Sequence, residues 1–367
     1  MPVASIVSFR LGGPDGVSVQ AATWGRALER LGYGLRRVAG ELADGPRPGD
    51  VVVPGLAVAA EAAPGPAGQR PAAPRGPSPG ELRAALAGSD LVVVENVLAL
   101  PLHLEAARVL TGVLAALAPA TRVLLHHHDL AWQRPETATI TELPPRLPGA
   151  VHVAINDFSR RELAERGIEA VTVRNAFDLD APPGRRAVTR AALGVADDEL
   201  LVLQPTRAIA RKNIPAALRL AEGVAERLDR PVRFWLPGPA EDGYAATLAE
   251  VLAATPVPVL RDRPGDMRDA YAACDLVTFP STGGEGFGQP VIESVWADRP
   301  LAVLRYPALD EILALGFEFL PADDPDVVAG ALRAGSTPAA ARNRELAEAH
   351  FSMTALERAL GALLRTV

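Results

Sequence analysis

The segment STGGEGFGQPVIESVWADRP, residues 281–300, sets Glu285 and Glu293 eight positions apart, with Gly283, Gly284, Gly286 and Gly288 around the first. Glycine allows a tight backbone and close approach by a ligand. Pro290 suits a first helical turn, so a helix is predicted to run through VIESVWA. Amides from Phe287 to Gln289 would then point out of a helix N-terminus, a natural seat for phosphate. The two carboxylates, divided by a sharp bend, can address different parts of one ligand. The plainer alternative is that both stabilise the helix start electrostatically.

A second cluster, PTRAIARKN at 205–213, puts Arg207 after a strand-like run and Lys212 five positions on. Cations near a helix N-terminus oppose the helix dipole, so helix stability does not account for them. A diphosphate does, because arginine offers a planar fork and lysine a compact point charge. Arg211 adds a third charge, with solvent as its expected surroundings. Lys212 is also the only lysine among 37 basic residues. Either it is an accident of composition, or arginine will not serve there.

LLHHHDLAWQRP, residues 124–135, ends a predicted strand in three histidines and Asp129. Strand alternation places His127 opposite His126 and His128. Adjacent histidines beside one aspartate have a poor zinc spacing, so no metal is expected. A histidine offering a hydrogen bond to a sugar or reacting centre is the expectation instead, while His103, His152 and His350 read as structural. Gly12 and Gly13, in SFRLGGPDG, turn the chain between a first strand and helix and would admit a phosphate or sugar near the backbone. This is not GxGxxG, and no GxxxxGK[ST], GxSxG or HExxH occurs, which weighs against dinucleotide, P-loop, serine hydrolase and zinc protease chemistry.

Short apolar strands alternating with helices must position these groups. Strands are predicted near 5–9, 37–55, 90–96, 121–129 and 151–156, with helices over 18–32, 81–88, 103–118 and 159–167, the last capped by Ser159, and EAVTVRNAFD (169–178) ends this half. In the first of these helices Val19, Trp24, Ala27 and Leu28 are placed on one side. Strand 90–96 ends in Glu95 and Asn96. The alternation restarts after a linker near 181, and the segment from about 340 to 365 is mostly helical. Two α/β domains with largely parallel sheets follow, and ligands of such sheets meet the loops at strand carboxyl ends. Residues 60–80, rich in Pro, Gly and Ala, read as a surface excursion.

The 367 residues suffice for two ordinary cores. A net charge of −7 argues against coating polyanions, and 5% aromatic content argues against nucleic-acid stacking platforms. One cysteine, Cys274, excludes an internal disulfide framework and reads as a small buried residue. No basic leader with an apolar run opens the sequence, and apolar stretches fall short of a membrane span. A cytoplasmic protein is expected, with no nucleic-acid partner and no stable membrane insertion, as a monomer or homodimer.

Together these residues resemble the GT-B glycosyltransferases, specifically the retaining glycosyltransferase family 4. The likeness runs through the Gly-Gly turn, the His-Asp at a strand end, AINDFSRREL, VRNAFD, TRAIARKN and EGFGQPVIE, over nearly the whole chain. The combination of Arg-x4-Lys with Glu-x7-Glu is the specific part. The resemblance implies two Rossmann-like domains facing a cleft: 1–178 on the acceptor side and 179–345 holding a nucleotide sugar. A C-terminal helix, 346–367, would cross back to the first, with the linkers acting together as a hinge. It implies that Arg207 and Lys212 bind the donor diphosphate, Glu293 accepts from ribose hydroxyls, and Glu285 contacts the donor sugar. Gly286, Phe287, Gly288 and Gln289 would help seat it. His128 matches the sugar-contacting histidine, with His127 as runner-up, and Gly12 and Gly13 approach phosphate or acceptor. Glu311 matches an acidic position of unassigned role. The implied reaction is metal-independent transfer with retention, without a cofactor, to the hydroxyl of a small acceptor. A phosphorylase or epimerase, a lipid- or polysaccharide-directed transferase and a non-catalytic binding protein are the alternatives. Ala176 and Asp298 depart from positions where the family prefers glycine.

Overall fold

The computed structural model describes residues 1–58, 75–118, 120–134, 137–335 and 339–366, and the chain divides into two units. One comprises Met1–Ala176 with Met353–Val367, the other Phe177–Ser352. The first unit runs β1 (Val3–Leu11), α1 (Gly16–Arg30), β2 (Gly34–Leu42), β3 (Val51–Val52), α2 (Pro79–Leu86) and β4 (Leu91–Glu95). It continues through α3 (Leu104–Leu117), β5 (Arg122–His127), β6 (Ala150–Ala154), α4 (Asp157–Glu165) and β7 (Ala170–Thr172). The strands form one parallel sheet in the order β3-β2-β1-β4-β5-β6-β7. β4, LVVVE, is buried at every position because helices cover both faces of such a sheet.

Local chemistry fixes the helix starts. The Asp15 side chain accepts from the Ser18 amide at the head of α1. Ser78 and Glu81 form a reciprocal capping box on α2, so the chain is helical from Pro79. The expected excursion over 60–80 lies outside the described residues as far as residue 74. α4 is capped by Asn156, whose Oδ1 accepts from the Ser159 amide at 2.7 Å, and not by Ser159 itself. Asn is as good a cap as Ser, and here it stands at the break in helical backbone. On α1 the buried stripe includes Gln20, Trp24, Ala27 and Leu28, whereas Val19 is exposed. Val19 precedes Trp24 by five residues, about 140° around the helix, so the two cannot share a face.

The second unit runs α5 (Arg186–Ala192), β8 (Leu200–Leu203), α6 (Ile214–Leu228), β9 (Val232–Trp235), α7 (Ala245–Ala254), β10 (Val259–Leu260) and α8 (Met267–Ala273). Next come β11 (Leu276–Phe279), α9 (Pro290–Trp296), β12 (Leu301–Val303), α10 (Pro307–Ala314), β13 (Leu320–Pro321), α11 (Pro325–Ala334) and α12 (Ala340–Phe351). Its parallel sheet has the order β10-β9-β8-β11-β12-β13. Strand order reverses between β1 and β4 in the first sheet and between β8 and β11 in the second. Ligands of open α/β sheets bind outside the carboxyl ends of strands at such reversals.

After Ser352 the chain rejoins the first unit as α13 (Met353–Thr366). Leu356, Leu360, Leu363 and Leu364 enter one core with Trp24, Ala27 and Leu28 of α1. Both crossings between the units are tied at one place, where the Phe177 amide donates to the Phe351 carbonyl at 2.7 Å. They fall at 176/177 and 352/353. Cys274 is fully buried just ahead of β11. Among the described residues no helix is long and apolar enough to cross a membrane.

Candidate active site

In the second unit both charged motifs leave the sheet at its reversal, PTRAIARKN from β8 and STGGEGFGQ from β11. After β8 the chain makes a short 3-10 turn, Ala210–Lys212, then passes through Asn213 in a left-handed conformation into α6. That turn sends the Lys212 side chain inward. Its Nζ donates to Glu285 Oε1 at 2.6 Å and lies 4.6 Å from the centroid of the Phe279 ring. Arg211 donates to the same Glu285 oxygen, as does the Ser281 hydroxyl. Arg211 therefore does not simply face solvent; a buried carboxylate draws it in. The Arg211 carbonyl also accepts from the Thr282 amide at 3.0 Å and the Ser281 hydroxyl at 3.1 Å, stitching the two loops together.

Burial alone would push the Glu285 carboxyl up, yet Lys212 and Arg211 hold it below the usual carboxylate range. Burial pulls the Lys212 ammonium down to about 8, against the attraction of Glu285, with Arg211 and Arg207 lowering it further. Arg207 is more exposed and pairs with Glu241 at 2.7 Å. Gly238 packs on this strand end, where a Cβ would come within 2.0 Å of the Thr206 carbonyl oxygen.

Glu293 sits in the first turn of α9 and accepts from the Tyr271 hydroxyl at 2.5 Å. Removal from water raises its carboxyl above the usual value, the Tyr271 hydrogen bond opposing that only in part. The α9 amides of Val291, Ile292 and Glu293 bond to the Gly288 and Gln289 carbonyls. Any amide offered to a phosphate must therefore come from the loop ahead of the helix. Gly288 has φ +86°, and a Cβ there would lie 2.1 Å from the Tyr306 hydroxyl, which donates to the Phe287 carbonyl at 2.8 Å. Glu311 lies on α10, the helix that follows Tyr306. Asp298, where the resembled family prefers glycine, has φ 53°, the left-handed backbone that ends a helix.

In the first unit the register of β4 with β5 sets Glu95 beside His126. Glu95 Oε2 meets His126 Nδ1 at 2.8 Å and His128 Nε2 at 2.7 Å. All three residues are buried, and Trp24 stacks on His126 with 4.0 Å between ring centroids. Asn96, left-handed at φ 61°, accepts through Oδ1 from the amides of His128 at 2.9 Å and Asp129 at 3.3 Å. Asp129 pairs with Arg134 at 3.2 Å. His127 points to the other face and bonds to His152 at 2.9 Å; burial holds its ring well below the usual imidazole value.

Glu95, His126 and His128 form a group of donor atoms within 4.8 Å of one another, close enough to surround an ion. Along the histidine strand itself only Asp129 offers a carboxylate, and its spacing from the histidines suits no metal. The carboxylate instead arrives from the neighbouring strand, and its contacts are of hydrogen-bond length. Gly12 also has a reason of its own: φ is +76°, and a Cβ would lie 2.0 Å from Asp44 Oδ1. At Gly13 a Cβ would meet Asp15 Oδ2 at 3.0 Å. Tyr271 and Ser281 lie outside the sequence expectations, and His126 enters them only as the strand neighbour on the same side as His128. The strand-end position of Ser281 is the one signal that could have marked it.

Residues 202–335 match the family described as glycosyl transferases group 1. Over 278 residues the chain is 27% identical to the mannosylglucosylglycerate synthase of Thermotoga maritima, a match covering 66% of this chain and 64% of that protein. It is likewise 27% identical over 242 residues to the enzyme of that name from Petrotoga mobilis, covering 54% and 56%. These alignments thus span under two thirds of each relative's length. Among solved structures, Anabaena HepE in complex with UDP and glucose superposes with a TM-score of 0.71 at 18% identity, covering 100% of both chains. Sucrose-phosphate synthase from Thermosynechococcus elongatus gives 0.67 at 16% identity, covering 100% of this chain and 99% of that one. The fold is GT-B, with two Rossmann-like units and a last helix returning to the first, and the chain is related to glycosyltransferases of the family 4 type.

Proposed function

We propose that this GT-B chain is a retaining glycosyltransferase that moves a sugar from a nucleoside-diphosphate donor to a hydroxyl of a small acceptor. The observation that carries this is the convergence of Lys212, Arg211 and Glu285 at the β8/β11 reversal, with Glu293 on the helix that the same loop opens. Arg207 and Lys212 take the diphosphate, Glu285 the donor sugar, and Glu293 the ribose hydroxyls. The loop from Gly286 to Gln289 helps to seat them. The second unit is thus the donor side and the first the acceptor side, with His128 offered to the sugar.

Departure of a dianionic diphosphate from an oxocarbenium-like sugar is the main cost of such a reaction. Fixed cations oppose it by preorganisation, each such group being worth about 2.7–4 kcal/mol. Glu285 keeps the Lys212 ammonium oriented and charged before donor arrives, so little reorganisation remains at the reacting step. Support for a small acceptor comes from the two mannosylglucosylglycerate synthases. We further assign the reaction to the cytoplasm, in a monomer or homodimer with no nucleic-acid partner.

A panel of nucleotide sugars, scored for binding and slow donor hydrolysis with Lys212→Ala as control, tests this. At least one donor is expected to bind and turn over, and the control to lose most of that turnover. If none binds or reacts, the transferase assignment falls. Turnover that requires inorganic phosphate in place of a nucleotide would replace it with a phosphorylase.

A further inference from the structure

The first-unit cluster contains an acceptor shared by two imidazoles. A carboxylate only accepts, so each ring nitrogen facing Glu95 Oε2 must carry its proton. His126 is then protonated on Nδ1 and His128 on Nε2. In neutral His128 the remaining nitrogen, Nδ1, holds a lone pair and has no protein partner among the described residues. We propose that Glu95 is a positioning residue that holds His128 in its Nε2–H tautomer, so that Nδ1 is presented as a hydrogen-bond acceptor to a substrate hydroxyl.

Three contacts around Glu95 Oε2 and the His128 backbone hold that state. The Glu95 side chain is fully buried, out of contact with bulk solvent. His126 is clamped between Glu95 and the face of Trp24. The two-amide grip of Asn96 fixes the backbone that carries His128. A ring so held has one orientation and one tautomer, the condition under which a histidine acts as a directional group. An Nδ1–H tautomer would turn a lone pair toward the carboxylate and forfeit the 2.7 Å bond. The ligand class follows from the polarity: a neutral hydroxyl that donates, such as one of a sugar, fits Nδ1, whereas a phosphate oxygen does not.

This assignment rests on the glycosyltransferase reading for the identity of the hydroxyl, but the tautomer can be measured without it. Nitrogen-15 spectra of the full chain, with His128 assigned by comparison with His128→Gln, are expected to show Nε2 protonated and Nδ1 unprotonated. Glu95→Leu is expected to give mixed tautomers and a kcat lower by about 10–100-fold, the usual scale for a group that orients a site ligand. The loss should fall mainly on kcat and much less on donor KM. Glu95→Gln, whose amide oxygen still accepts from both rings, should restore most of the loss. Wild-type His128 found as Nδ1–H, or Glu95→Leu with unchanged kcat, overturns the proposal. So does a stoichiometric divalent metal whose removal abolishes activity. If Glu95→Leu does not fold, the wild-type tautomer decides alone. Failure of every nucleotide sugar to react would sink the transferase assignment and leave the tautomer measurement standing.

Discussion

Replacing Lys212 by methionine separates charge from packing. Methionine keeps an unbranched apolar stem beside Phe279 and deletes only the ammonium, which lies 2.6 Å from Glu285 in a side chain 10% exposed. Stripping the sole partner from a buried carboxylate costs about 3–5 kcal/mol. Here Arg211 and Ser281 remain on Glu285, so the loss is nearer that of one charged hydrogen bond, about 1.5–3 kcal/mol. For a unit of this size that lowers Tm by roughly 3–12 °C. The kinetic effect should be larger. Losing one preorganised charge from the leaving diphosphate lowers kcat by about 10²–10³-fold. Donor hydrolysis at saturation, calorimetric titration with nucleoside diphosphate and thermal melting, run in parallel, read the three quantities. Lys212→Arg keeps the charge but overfills the space between Glu285 and Phe279, at about 1–3 kcal/mol, and should recover only part of the turnover. If Lys212→Met melts early yet keeps wild-type kcat and nucleotide affinity, Lys212 is a structural tie and the diphosphate assignment is wrong.

Burial brings Lys212 down to about 8, so kcat/KM for the donor should turn down above about that pH as the ammonium is lost. Stability moves the other way. Between there and the ordinary lysine value of 10.5 the unfolded chain holds more protons, and this group's contribution to stability rises with pH. A flat activity profile through that window contradicts the role given to Lys212. Tyr271→Phe removes the hydroxyl that bonds Glu293, so the carboxyl should titrate still higher and donor KM should rise, at about 1–3 kcal/mol of stability; unchanged KM would remove Glu293 from ribose binding. Gly12→Ala forces a side chain onto Asp44 in left-handed backbone and should cost about 1–3 kcal/mol; loss of donor affinity with an unchanged melting curve would return Gly12 to ligand approach. Leu360→Ala, fully buried between α13 and α1, should cost about 2–5 kcal/mol by denaturant unfolding, and a near-neutral result would mean that α13 adds little to the first core.

Both cationic and acidic motifs were readable because each is a short run whose spacing survives without tertiary context. That Lys212 and Glu285 meet followed from topology, since loops after adjacent strands of a reversing parallel sheet converge. Register was not readable. The tie between Glu95 and His126 exists because β4 and β5 pair Glu95 with His126 and not with a neighbour, a choice no residue type announces. Tyr271 escaped for a similar reason: it lies in a plain helical run, and only the packing of α8 brings its hydroxyl to Glu293. Ser159 and Asn156 show the limit at element ends, where two good capping residues stand three apart and the backbone decides.

The course of the chain has a consequence for synthesis. The second unit is an insertion, entered and left beside the backbone hydrogen bond from Phe177 to Phe351. It can finish folding from one uninterrupted stretch. The first unit cannot, because Leu356, Leu360, Leu363 and Leu364 of its core are translated only after the whole second unit. During translation Trp24 and Leu28 must therefore wait with the side of α1 that meets α13 uncovered, a period in which apolar surface is open to aggregation.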